Sequence, residues 1–298
     1  MNNLRKKTYI LVMFLGFIVT QATYAATPTK EEYGAILNLS GKQRMLSQKM
    51  TKEALLIALD IDIEKNTLSL SSTASLFDKT LLGLKNGDAS LKLPPTEQID
   101  IVNQLAVVEG IWADFHPLIK KIVESQSADA DQILLLAEKN IPLLKEMNKA
   151  VELYAKDAEK TGLKTEPGLA TKINLSGKQR MLTQKMSKEF FLVALKHNPD
   201  ENIINLQETS ELFDTTLTGL IRGDDSLGLS AAKEKNILNQ LDLVDGLWYD
   251  FKDFIEQGIM LSDDTIPEKN IKDIAYNNLP LLKEMNKAVK LFEKQATN

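Results

Sequence analysis

The segment Asn38–Glu53, NLSGKQRMLSQKMTKE, returns at Asn174–Glu189 as NLSGKQRMLTQKMSKE. Only Ser47/Thr183 and Thr51/Ser187 differ, and both exchanges keep a hydroxyl. The same offset of 136 positions aligns Leu76–Leu93 with Leu212–Leu229, Asn103-Gln104-Leu105 with Asn239-Gln240-Leu241, and Trp112 with Trp248. Further on, PLLKEMNKAV occurs unchanged at Pro142–Val151 and Pro280–Val289, now 138 positions apart. Two long copies, rather than many short ones, mean a duplicated domain and not a solenoid.

Within a copy, apolar residues recur at three and four spacing, as in Leu76, Leu81, Leu84 and in Leu143, Met147, Ala150, Val151, Tyr154. That is the period of helices with one apolar face, and β-alternation is absent. The spacing predicts four helices in the first copy, over about 30–63, 67–86, 96–125 and 128–160, with the chain broken at Gly87-Asp88 and Pro94-Pro95. Pro142 is expected to kink the fourth helix or to start its main part. Short connections favour antiparallel neighbours. The expected fold is therefore all-α: two tandem up-down four-helix bundles, over 28–162 and 166–298, after a cleavable signal peptide over 1–25. Pro167-Gly168 separates the copies. Four antiparallel helices return the chain to the end where it began, so the two first helices can lie side by side and parallel.

The leader is read from Arg5, Lys6 and Lys7, an apolar run over about 9–19, and small residues up to Ala25-Ala26. The run is shorter than the ~20 residues of a spanning helix, which favours cleavage near Ala25 over an uncleaved anchor. The mature chain is expected to be soluble and periplasmic. With no cysteine, it relies on its core rather than on disulfides, and no lipoprotein anchor is available. Removing the leader takes the formal charge from −5 to −8. Such an acidic chain is a poor partner for nucleic acid or anionic lipid.

On a helix the repeated segment is two-sided. Ile36, Leu39, Gln43, Leu46, Met50 and Ile57 form one stripe, suited to the bundle core. Leu37, Gly41, Arg44, Gln48, Thr51 and Leu55 form a second that faces away from it. In the other copy Ile173, Gly177, Arg180, Gln184, Ser187 and Phe191 repeat the second stripe. A glycine inside a helix costs about 1 kcal/mol relative to alanine, so Gly41 and Gly177 imply a close approach by another backbone. If the first helices meet through these faces, Arg44 and Arg180 come together. Their planar forks then suit a planar oxyanion held by paired hydrogen bonds. The alternative is that each arginine pairs with a carboxylate of its own bundle.

The NLSGKQRMLSQKM pattern resembles the PilJ-type sensor domain, found at the N-terminus of type IV pilus chemotaxis transducers and related to the periplasmic domain of nitrate/nitrite sensor histidine kinases. The resemblance covers both copies. It implies four-helix bundles that work in pairs, with an oxyanion held between two first helices by the motif arginine while the motif glycine allows close approach. Carried over, these are Arg44, Arg180, Gly41 and Gly177; Gln48 and Gln184 lie one turn further on the same face. Family receptors continue into a membrane helix and a signalling module, neither of which is expected in this chain. Signalling would then require a membrane receptor or sensor kinase as partner. Lys42 and Lys178 either add positive potential or are merely solvated.

The remaining residues carry blander readings. His116 and His197 do not correspond between copies and are expected at the surface or at helix ends. Without cysteine and with two histidines, no transition-metal site is expected. Trp112, Trp248, Phe115 and Phe251 read as core. Asp224-Asp225 and Asp263-Asp264 lack a full calcium loop and read as turns and caps. PLLKEMNKAV either frames an interface or is ordinary core and surface. No catalytic constellation or phosphate loop can be assembled, so neither an enzyme nor a cofactor is expected. The leading expectation is an exported ligand-binding protein that holds a small oxyanion, nitrate or nitrite first, between Arg44 and Arg180. The alternative is an interaction module that pairs with a membrane receptor, or as a homodimer, without a ligand. A purely structural envelope protein is the third, weaker reading.

Overall fold

The computed structural model describes residues 27–165, 167–260 and 265–297. The leader and Asp263-Asp264 lie outside them. Eight α-helices follow in order: Lys30–Ala58 (α1), Ile63–Asn86 (α2), Ile99–Ser125 (α3), Ala130–Lys160 (α4), Leu169–Ala194 (α5), Pro199–Arg222 (α6), Lys235–Ile259 (α7) and Glu268–Gln295 (α8). They are consistent with two four-helix-bundle-like units, α1–α4 and α5–α8. Among the described residues, no helix is long and apolar enough to cross a membrane.

Local chemistry sets the helix ends. Thr29 opens α1 with a reciprocal cap: the Glu32 amide donates to its hydroxyl at 3.2 Å, and its own amide donates to the Glu32 carboxylate at 2.7 Å. Asp129 and Gln132 do the same for α4. α1 stops at Ala58, five residues before the expected Ile63. Asp60 and Asp62 take left-handed φ values of 58° and 43°, which reverse the chain and tuck Ile61 into the core. Lys196 and Asn198 reproduce this turn after α5, with φ of 57° and 44°. Pro142 neither starts nor ends α4, which runs through it; Pro117 and Pro280 likewise sit inside α3 and α8.

The break after α2 holds a feature that the helical periodicity missed. Gly87–Asp88 (β1) pairs antiparallel with Leu93–Pro95 (β2), and the second copy keeps one bridge there, Asp224 to Leu229. The Asp88 carboxylate accepts from the amides of Ser90 and Leu91, and Asp224 does the same for Ser226 and Leu227. The Asp224-Asp225 pair is thus a turn and a cap.

Each unit has the same aromatic core. Phe77 and Trp112 lie 4.4 Å apart between ring centroids, as do Phe213 and Trp248. The indole N–H groups donate to Asp78 at 2.9 Å and to Asp214 at 3.1 Å, so each tryptophan is buried without an unmet donor. His116 lies in the middle of α3, half-buried and stacked on Trp112 at 4.6 Å, rather than at a helix end. His197 follows the end of α5, as expected.

The first helices are the exception to amphipathicity. α1 packs on α2 and α4 of its own unit and on α5 and α8 of the other, and α5 is placed equivalently. Both stripes of the repeated segment are therefore covered. Gln43 serves the intra-unit side by donating to the Phe77 carbonyl at 2.8 Å, while Leu39 is only half-buried. The second stripe forms the seam with α5. Gly41 faces Gly177 there, and further along Lys52 and Gln184 converge on the same Asn278 oxygen, so the two helices run in the same direction.

Phe213 is fully buried against Trp248. Phe213→Ala is expected to destabilise the protein by about 3–5 kcal/mol, read from urea unfolding; a loss under about 1 kcal/mol would show that this pair is not part of a close-packed core.

Candidate functional site: the seam between the two first helices

At the seam two guanidinium groups meet in a buried place. Arg44 is 1% exposed and Arg180 2%. A Cβ built on Gly41 would lie 3.4 Å from Arg44 Nη2, 3.7 Å from Arg180 Nη2 and 3.9 Å from the Gly177 Cα. Built on Gly177, it would meet the same atoms with the copies exchanged. Both arginine tips therefore flank the point where the two backbones come closest.

Among the described residues neither arginine forms a salt bridge with a carboxylate, although Glu152 attracts Arg44 and Glu293 attracts Arg180 from within their own units. Arg44 Nη2 crosses to α5 and donates to the Asn174 side-chain oxygen at 2.8 Å and its carbonyl at 3.1 Å, while Nη1 donates to Asn148 at 2.8 Å. Arg180 crosses the other way. Its Nη1 donates to the Asn38 side-chain oxygen at 2.8 Å and to Asn286 at 3.2 Å, and its Nη2 donates to the Asn38 carbonyl at 2.9 Å. The crossing follows from helix geometry, since side chains lean toward the N-terminus and reach the preceding turn of a parallel neighbour. Carboxylates stand one step behind: Asn148 donates to Glu152 at 2.5 Å and Asn38 to Glu293 at 2.6 Å. The Nε atoms of both arginines are buried without a partner.

Burial holds both arginines below their ordinary range, Arg44 at about 10 and Arg180 at about 9; the Arg44 charge adds to the effect on Arg180. Lys42 and Lys178 are half-buried. Each is pushed down first by burial and then by the arginine of the opposite copy, so neither is simply a solvated lysine. The seam is a positive strip in an acidic protein.

Gln48 and Gln184 form the next layer. Their amide nitrogens donate to Ser47 at 3.2 Å and Thr183 at 3.1 Å, Gln184 also to Asn278 at 2.6 Å, and the Oε1 atoms are buried and unpartnered. They line the seam beside the arginines rather than completing a ring of donors with them. One turn on, Lys52 reaches Asn278 at 3.1 Å and Lys188 reaches Asn140 at 3.3 Å, each across the seam. Asn278 and Asn140 in turn donate to the carbonyls of Thr183 and Ser47.

The sequence reading named Arg44, Arg180, Gly41 and Gly177, which the fold brings to one place. It overlooked the amides that hold them. Asn38 and Asn174 open the repeated motif, and Asn148 and Asn286 lie inside the unchanged PLLKEMNKAV, so identical asparagines in both copies were the available signal. Within that second motif, Asn148 and Asn286 accept from the arginine of their own unit. Among the described residues, no group of His, Cys, Asp and Glu could hold a metal ion.

The glycines differ in kind. A Cβ on Gly162 would sit 2.0 Å from the Tyr33 ring, and one on Gly258 2.1 Å from the Phe190 ring, so those two are glycines for steric reasons. A Cβ at Gly41 or Gly177 meets only ordinary van der Waals distances. Alanine fits there and would also favour the helix, so packing of this state alone does not account for the glycines.

Burial also lowers Lys52 and Lys188 from 10.5 to about 8. Over roughly pH 8–10.5 the unfolded chain therefore binds more protons at these positions than the folded one, and their contribution to stability rises with pH. Melting curves at pH 7.5 and 9.5 are expected to show a steeper gain for the wild type than for Lys52→Met/Lys188→Met. Equal slopes would place both ammonium groups in solvent.

The family described as "Type IV pili methyl-accepting chemotaxis transducer N-term" matches residues 26–137 and 163–274. The methyl-accepting chemotaxis protein McpN of Pseudomonas aeruginosa is 26% identical over 152 residues, 51% of this chain and 27% of that protein. The chain thus spans about a quarter of that relative's length. The domain type is a non-catalytic sensor module, typically extracytoplasmic. With the family matched over most of its length, the chain belongs to the PilJ family of chemotaxis-transducer sensor domains.

Proposed function

We propose that this is a periplasmic sensory protein whose two units form one oxyanion site at the α1–α5 seam, with nitrate or nitrite as the first candidates. The observation that carries the reading is the meeting of Arg44 and Arg180, buried, over two glycines that packing does not require. A planar anion in front of Gly41 and Gly177 would receive N–H groups from both guanidinium forks, including the unpartnered Nε atoms. Its charge would offset the repulsion between the arginines and favour one packing of α1 on α5. A membrane receptor or sensor kinase would read that change, since a ligand shifts an equilibrium by its differential affinity for the two states.

The reading without a ligand needs the motif faces to be available to another chain, as in a homodimer or a receptor complex. In this arrangement each face is covered by the other copy within the same chain, which favours the intrachain site.

Calorimetric titration with sodium nitrate and sodium nitrite tests the proposal. The wild type is expected to bind one anion per chain, and Arg44→Ala to weaken binding at least about tenfold, the loss of a charge-assisted hydrogen-bonding group. Gly41→Ala should melt at or slightly above the wild-type temperature yet bind the anion poorly, because its methyl group fills the space between the two Nη2 atoms. If the wild type binds no small oxyanion, the proposal falls; if Gly41→Ala binds as well as the wild type, the anion is not held in front of the glycines.

A further inference from the structure

Of the donors that an oxyanion would use, the Nη atoms are already engaged and only the two Nε atoms are unpartnered. Asn174 offers Arg44 two oxygens, one from its side chain and one from its backbone, and Asn38 offers Arg180 the same pair. These are neutral stand-ins for the oxygens of an anion. A ligand that reaches the forks must therefore compete with amides that belong to the chain itself.

The two amides are not held equally. Asn38 is 7% exposed, and its Nδ2 donates to Glu293 at 2.6 Å. That bond fixes which end of the amide faces Arg180, because the carboxylate accepts only from the nitrogen. Asn174 is half-buried, and among the described residues its nitrogen has no partner. The difference is written in the sequence: at the 138-position offset that relates the last helices, Glu293 corresponds to Ala155, which has no acceptor to offer. Two copies of one chain paired by exact twofold symmetry would carry the same latch twice. Here duplication has allowed one latch to be braced and the other left loose.

Resting on the oxyanion reading above, we infer that Asn38 and Asn174 are unequal internal competitors for the anion site, the unbraced Asn174 leaving Arg44 first and the Glu293-braced Asn38 setting most of the resistance to binding. The first step exposes a guanidinium without disturbing α8. The second breaks the Asn38–Glu293 contact beside Gly34, where the Glu293 carbonyl would lie 3.3 Å from an added Cβ. Occupancy is thereby transmitted to the last turns of α8.

Sodium nitrate titrated calorimetrically into the full chain, in chloride-free buffer, tests the inference. Removing a competitor raises affinity by the strength of the bond it made, so Asn174→Ala should bind nitrate about threefold more tightly and Asn38→Ala about tenfold or more. Melting curves establish that both variants are folded. In the wild type, side-chain amide NMR signals should move at lower nitrate for Asn174 than for Asn38, a readout that needs no substitution. If the wild type binds nitrate while both variants bind it equally or more weakly, the amides are ligands or bystanders, and the latch falls while the site stands. If both amides respond together in the wild type, the inequality falls. If neither the wild type nor a variant binds, the site and the latch fall together.

Discussion

Two like charges buried face to face dominate the organisation of this molecule. Removing a guanidinium from water costs several kcal/mol unless its donors are met, and neither unit meets them alone. Arg44 depends on Asn174, and Arg180 depends on Asn38. Hydrogen bonds to a charged group contribute about 1.5–3 kcal/mol each, so the exchange ties the units together strongly while leaving the repulsion between the arginines in place. It also fixes register. Sliding α1 along α5 by one residue would carry the arginines off the asparagines and leave both charges stranded.

The layers beyond follow the same logic of exchange. Lys52 and Lys188 each reach an asparagine on the last helix of the opposite unit or its equivalent, and those asparagines bond back to carbonyls of the first helices. The buried apolar side chains form one core that runs through both units, and each unit adds its own Phe–Trp pair between the second and third helices. The relation between units thus combines apolar packing, from Leu37, Leu55, Ile173 and Phe191, with the polar exchange at the arginines and lysines. A polar seam is the part of such a structure that an ion can alter without unfolding the rest.

Much of this was legible in the sequence. The duplication, the helical period and the two-sided motif led to paired bundles and to Arg44 beside Arg180 across Gly41 and Gly177. What periodicity could not supply was the ends and the partners. The turn at Asp60 and Asp62 depends on left-handed backbone at ordinary residues, which no spacing reveals. The β1–β2 hairpin is too short to show alternation. The partner amides were hidden for a different reason: a helix-facing asparagine has no periodic signature, and only its identity in both copies distinguishes it. The alternative of a direct carboxylate partner is not met, because the acidic side chains lie one residue further out, behind Asn148 and Asn38.

The segment between α4 and α5 is short, spanning residues 161–168, and it carries a consequence of its own. Two separate subunits must find one another before they can present facing arginines, so the number of competent sites falls as the protein becomes scarce. A short tether makes that encounter intramolecular, at an effective concentration on the order of millimolar. A cell holding only a few copies of this chain would then have the same fraction of assembled seams as one holding thousands, and the response would report the outside medium rather than the abundance of the detector.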